Sequence, residues 1–65
     1  MDLTPRRVRR MAEIKQEEMA ALLRMHRATY IEKEKDPGKF TVEEANQFCK
    51  ITSTGLNEVF GKGNR

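Results

Sequence analysis

The sequence predicts an all-α domain, a compact bundle of about five short helices. Three observations carry that expectation. Apolar residues recur at three- and four-residue spacing, as in Met19, Ala20 and Leu23 or in Ala45, Phe48 and Cys49, which is the period of an amphipathic helix. The segments marked in this way are separated by recognisable breaks, above all Asp36-Pro37-Gly38 and Ser53-Thr54-Gly55. No stretch alternates apolar and polar residues as a half-buried strand would, and there is no repeat or low-complexity segment.

The first helix is placed after Thr4, a suitable N-cap, with Pro5 at the first helical position, where its missing N–H costs nothing. It is expected to run to about Ala12 with Val8, Met11 and Ala12 facing inward. The second spans about Gln16 to Leu23, with Met19, Ala20 and Leu23 on one face. Arg24-Met25-His26 interrupts the pattern, and a third helix follows from about Arg27 to Lys35 with an outer face rich in charge. Proline disfavours helical geometry at the preceding residue and glycine opens a turn, so Asp36-Pro37-Gly38 is a firm stop. Thr41 and Glu44 have the spacing of a capping box for a fourth helix, on which Val42, Ala45, Phe48 and Cys49 form the apolar stripe. Beyond Ser53-Thr54-Gly55, Leu56, Val59 and Phe60 make a last helical turn or two. Residues 1–60 are thus expected to form one domain and residues 61–65 a flexible tail.

With 65 residues, the chain holds one domain with a thin core. A domain of this size buries only about 60% of the surface its unfolded chain exposes, and such a core supplies a net stability of about 3–5 kcal/mol. A deep active-site cleft with a supporting shell does not fit. One histidine, one cysteine and no glycine-rich phosphate loop leave no catalytic constellation to assemble, so no enzyme activity, cofactor or metal is expected. With Cys49 as the only cysteine, no intramolecular disulfide can form, which points to a reducing, cytoplasmic setting. No apolar run approaches the roughly 20 residues that cross a bilayer, and the basic start lacks the apolar centre of a signal peptide. The formal net charge of +3 is modest but unevenly placed, because Arg6, Arg7, Arg9 and Arg10 crowd the first ten residues against Asp2 alone. A basic cluster beside a folded body suits a polyanion such as nucleic acid, and equally suits a solvated charged helix face.

Two short helices joined by a three-residue turn have the form of a helix-turn-helix, whose second helix can lie in the DNA major groove. From Val8 to Phe60 the chain resembles the Cro/repressor-type (XRE-like) helix-turn-helix family without a gap. Val8-Arg9 stands where the family carries Leu-Arg, and Gln16-Glu17-Glu18-Met19-Ala20 matches its Gln-x-Glu-Leu-Ala. Leu23, Met25 and Tyr30 occupy its core positions around the turn, and Glu34 matches its glutamate near the end of the third helix. Thr41-Val42 and Ala45 match the start of its fourth helix, and Leu56-Asn57-Glu58-Val59-Phe60 looks like its Leu-Asp-Glu-Leu-Phe ending. The resemblance implies a lambda-repressor-like fold. There are departures: Glu13, Arg24 and Asp36 stand where the family favours glycine, and Lys33 where it often has an aromatic residue. A non-glycine residue in the left-handed conformation costs on the order of 1–2 kcal/mol.

In that register the third helix carries the base-reading side chains. Arg27, at its start, suits bidentate donation to guanine O6 and N7, and His26, as the N-cap, suits base or phosphate. Ala28 and Ile31 suit a thymine methyl, while Glu32 suits cytosine N4, with a solvated ion pair as its plain alternative. The resemblance makes Gln16 a phosphate anchor, and Lys15, Arg24 and Lys39 add phosphate contacts that position without reading sequence. It also makes Arg9 and Glu34 a partly buried structural bridge between the first and third helices. The partners expected are double-stranded DNA and a second copy of the chain, with the dimer surface around Leu56, Val59 and Phe60. The function implied is sequence-specific transcriptional regulation, of phage or mobile-element type. The alternative is a helix-turn-helix protein that binds another regulator, as an antirepressor or antitoxin-like modulator does, because Glu32, Glu34 and Asp36 make the third helix less basic than a strong DNA binder.

Overall fold

The structure, a computed structural model, describes residues 3–61. The chain folds into α1 (Pro5–Met11), α2 (Gln16–Leu22), α3 (Arg27–Lys35), a single 3-10 turn (Pro37–Lys39), α4 (Val42–Thr52) and α5 (Leu56–Val59). Among the described residues there is no strand. The all-α expectation and its five helices therefore hold. Of the tail expected at residues 61–65, all but Gly61 lies outside the described residues.

Local chemistry sets most of the boundaries. Thr4 caps α1 by accepting from the Arg7 backbone N–H at 3.2 Å. At α4 the Thr41 hydroxyl accepts from the Glu44 N–H at 3.1 Å while the Glu44 carboxylate accepts from the Thr41 N–H at 3.0 Å. Glu18 reaches back to the Lys15 N–H at 2.8 Å, and Glu58 to the Gly55 N–H at 2.9 Å. The starts of α2, α4 and α5 thus each satisfy one backbone donor with a glutamate from the helix's own first turn.

Three helices end alike. The N–H of Ile14 bonds the Arg9 carbonyl, that of Met25 the Ala20 carbonyl and that of Thr54 the Cys49 carbonyl, the six-to-one bond of a Schellman motif. The residue before each is left-handed: Glu13 at φ 61°, Arg24 at φ 60° and Ser53 at φ 57°. Glu13 and Arg24 are positions where the resemblance implied glycine. Asp36, the third, is not left-handed, with φ −131°; the strain falls at Ser53 instead.

The core is built from Val8, Met19, Ala20, Leu23, Tyr30, Phe40, Ala45, Phe48, Cys49 and Val59. All four aromatic residues of the chain meet there. Phe40 lies 6.1 Å from Tyr30, 6.1 Å from Phe48 and 5.2 Å from Phe60, centroid to centroid, and Phe48 lies 5.7 Å from Phe60. These are edge-on or tilted pairs, the arrangement ring quadrupoles favour. The 3-10 turn delivers Phe40 to this cluster, closed by the Phe40 N–H on the Pro37 carbonyl at 3.1 Å.

Three inward assignments are corrected. Met11 is 71% exposed and Ala12 is exposed; both face an open groove with Leu3, Val8, Thr52 and Thr54. The buried side of α1 is Pro5, Val8 and Arg9, because the Arg9 side chain turns inward to meet Glu34. Val42 is 73% exposed. Helical side chains lean toward the N-terminus, so at the first position of α4 Val42 leans off the helix end. Val59 and Phe60, placed on a dimer surface, belong to the intramolecular core, since the last helix has few other apolar residues with which to dock. Of that surface only Leu56 is exposed.

Candidate nucleic-acid interface

A cluster of four side chains holds α1, α2 and α3 in place. Glu34 of α3 accepts from Arg9 Nε at 2.7 Å and Nη2 at 3.4 Å, from Gln16 Nε2 at 2.9 Å and from the Tyr30 hydroxyl at 2.6 Å. Arg9 Nη1 donates in addition to the Ile14 carbonyl at 2.7 Å. Burial raises the energy of the Glu34 carboxylate, but the bonds from Arg9, Tyr30 and Gln16 outweigh it and hold its pKa below the ordinary 4.5. Burial likewise opposes the charge on Arg9, and the bond to Glu34 with its negative charge more than restores it. Tyr30 is pushed far above its ordinary 10.0 by burial and by the bond to Glu34. The cluster is therefore a neutral ion pair capped by two dipoles, with every member satisfied. A second bridge joins α3 to α4, from Lys33 Nζ to Glu44 Oε1 at 2.6 Å. Burial is offset there by the bond from Lys33 and that from the Thr41 N–H, so Glu44 also titrates below 4.5.

With Tyr30 and Glu34 buried, α3 turns Ala28, Glu32 and Lys35 to its far side, while Arg27, about 20° from Glu34 around the helix axis, is exposed as the first residue of the helix. At about 100° per residue, Arg27, Ala28, Ile31, Glu32 and Lys35 fall within about 140° of one another on the helix surface. Arg27, Ala28, Glu32 and the N-cap residue His26 are exposed, while Ile31 is half-buried. Neither His26 nor Arg27 makes a side-chain hydrogen bond or ion pair among the described residues, and His26 does not cap the helix with its ring. Glu32 is 4.0 Å from Lys39, an ion pair in open solvent worth little in stability.

The residues assigned to phosphate are placed differently from one another. Lys15 is exposed at the N-cap of α2 and Arg24 is exposed in the turn between α2 and α3. Lys39 is exposed on the 3-10 turn after α3, beside Glu32. Gln16 is half-buried, and one of its amide hydrogens is held by Glu34. Its side chain is therefore oriented, not loose.

The sequence reading missed the wall opposite α3. An open groove of about 770 Å³ runs between α1 and α3, lined by Arg6, Arg9, Arg10, Gln16, Ile31, Glu34 and Lys35 among others. Arg6, Arg10 and Lys35 are exposed, and their side chains make no ion pair among the described residues. The N-terminal arginine run was visible in the sequence, but which arginines turn inward and which face α3 depends on tertiary placement. No family model, curated protein or solved structure matches the chain. No helix among the described residues is long and apolar enough to cross a membrane.

Proposed function

We propose that the protein is a small sequence-specific DNA-binding regulator of the Cro/repressor-type helix-turn-helix kind, with no enzyme activity, working in the cytoplasm. The observation that carries this reading is the outward, unpaired presentation of Arg27 and its neighbours on α3. That helix has nine residues, about 13 Å at 1.5 Å per residue, and the major groove is about 12 Å wide. Arg27, with His26, Ala28, Ile31 and Glu32, meets base edges. Lys15, Gln16, Arg24 and Lys39 meet phosphate. One such helix reads few base pairs, so two copies act on a two-fold site with half-sites about 34 Å apart.

Arg27→Ala tests the assignment. Specific affinity falls by about 1–3 kcal/mol and preference relaxes at one base pair, read by fluorescence anisotropy against single-site duplex variants. Unchanged affinity would remove Arg27 from the reading set.

One observation favours a second reading, in which the partner is another regulator. Leu22 and Val42 are exposed apolar residues, and Glu32 stands on the outward face of α3. Salt separates the two: binding through several phosphates weakens steeply between low and moderate salt, and an apolar protein interface does not.

A further inference from the structure

We infer that the groove between α1 and α3 is a clamp for a backbone phosphate of duplex DNA, formed by Arg6 and Arg10 on one wall and Lys35 on the other, with Gln16 also lining it. The inference rests on the DNA-binding reading and extends it to Arg6 and Arg10 of α1 and to Lys35 at the end of α3.

Three features of the groove support it. Its cations come from two separate helices, and none of the three is neutralised by a carboxylate among the described residues. Placing three positive groups around one cleft is unfavourable in isolation, and a bound phosphate removes that repulsion. Among the described residues the only carboxylate lining the groove, Glu34, is already matched by Arg9 and takes further bonds from Gln16 and Tyr30. It therefore presents little net negative charge to a ligand. The walls are also held at a fixed separation, because the Arg9–Glu34 bridge joins the same two helices at 2.7 Å.

The groove is continuous with the face of α3 that the DNA reading uses, since Ile31 and Lys35 belong to both, and it also takes in Gln16 of α2, assigned to phosphate. Ile31 is half-buried in the groove and supplies the apolar wall that a deoxyribose next to the phosphate would touch. Arginine suits the role through its fork of donors, and Lys35 adds a point charge. Such a contact adds affinity and register but no base preference. A regulator whose α3 carries both Glu32 and Glu34 gains most from cations supplied by a neighbouring helix.

The test compares wild type with Arg6→Ala, Arg10→Ala, Lys35→Ala and the triple variant, all at exposed side chains, with far-UV circular dichroism checking that each is folded. Each is titrated against a selected duplex and a scrambled duplex over a range of salt. One neutralised phosphate is worth a factor of about five in affinity at 0.15 M salt and about 0.9 in the slope of log K against log salt. The clamp predicts that the triple variant loses about that much on both duplexes alike, leaving their ratio unchanged. Arg10→Lys in the otherwise wild-type chain retains most of the slope. If wild type prefers its selected duplex while the triple variant keeps the wild-type affinity and slope, the clamp is wrong and the reading of α3 stands. If wild type binds neither duplex with a salt-dependent affinity, the DNA reading itself fails and the clamp falls with it.

Discussion

Removing the Glu34 carboxylate is expected to be the most damaging single change among the polar residues. In Glu34→Ala the Arg9 guanidinium loses both of its bonds to the carboxylate, at 2.7 and 3.4 Å, and the Tyr30 hydroxyl and Gln16 amide lose their acceptor. The Arg9 side chain is only 9% exposed, so water replaces little of what is lost. Breaking one partner of a buried pair costs about 3–5 kcal/mol. The lower end applies here, because both residues border the open groove and Arg9 keeps its bond to the Ile14 carbonyl. A loss of about 3 kcal/mol corresponds to a drop in Tm of about 12–24 °C for a domain this small. Urea and thermal melts followed by circular dichroism from 5 °C measure it. The damage comes from stranded polar groups, not from lost packing. Arg9→Met/Tyr30→Phe/Glu34→Leu, which removes the charges and the hydroxyl together, therefore recovers at least half of the loss. A Glu34→Ala cost below about 1 kcal/mol would refute the idea that this cluster fixes α1 against α3.

Two other outcomes concern stability. Glu13→Gly and Ser53→Gly each stabilise the fold by about 0.5–1 kcal/mol, the relief of a left-handed non-glycine residue less the added entropy of the unfolded chain; a lowered urea midpoint for both would contradict the backbone geometry. The pH dependence follows from Glu34 and Glu44, which bind protons more weakly when folded than their ordinary 4.5 implies. Their stabilisation is complete above 4.5 and is lost as pH falls through the lower folded values. The urea midpoint is thus flat above that pH and drops below it, with a shallower drop in Glu34→Gln.

Helix positions were legible because their determinants are local. Thr4 before Pro5, Thr41 with Glu44, and the stop at Asp36-Pro37-Gly38 act within a few residues of themselves, and the helices start and end close to them. What failed depended on neighbours distant in sequence. Met11 and Val42 fit a helical apolar pattern, yet among the described residues no other element covers them. Phe40 lies in a turn, where no periodicity marks it, and still occupies the centre of the aromatic cluster. At the candidate interface, the outward positions of Ala28 and Glu32 follow from helical spacing once Tyr30 and Glu34 are inside, whereas Arg27, about 20° from Glu34 by the same spacing, is exposed as the first residue of α3. The groove of Arg6, Arg10 and Lys35 is set by how α1 packs beside α3, a relation between residues about 25 positions apart in the chain. Helical spacing carries no information about it.

Selection of bound fragments from a random duplex pool, followed by titration of the enriched sequence at several salt concentrations, puts the central proposition to work most directly. An α3 seated in the major groove enriches a two-fold symmetric site, and affinity for it falls steeply as salt rises. A pool that stays random after repeated rounds, with whatever binding there is indifferent to salt, would contradict the account.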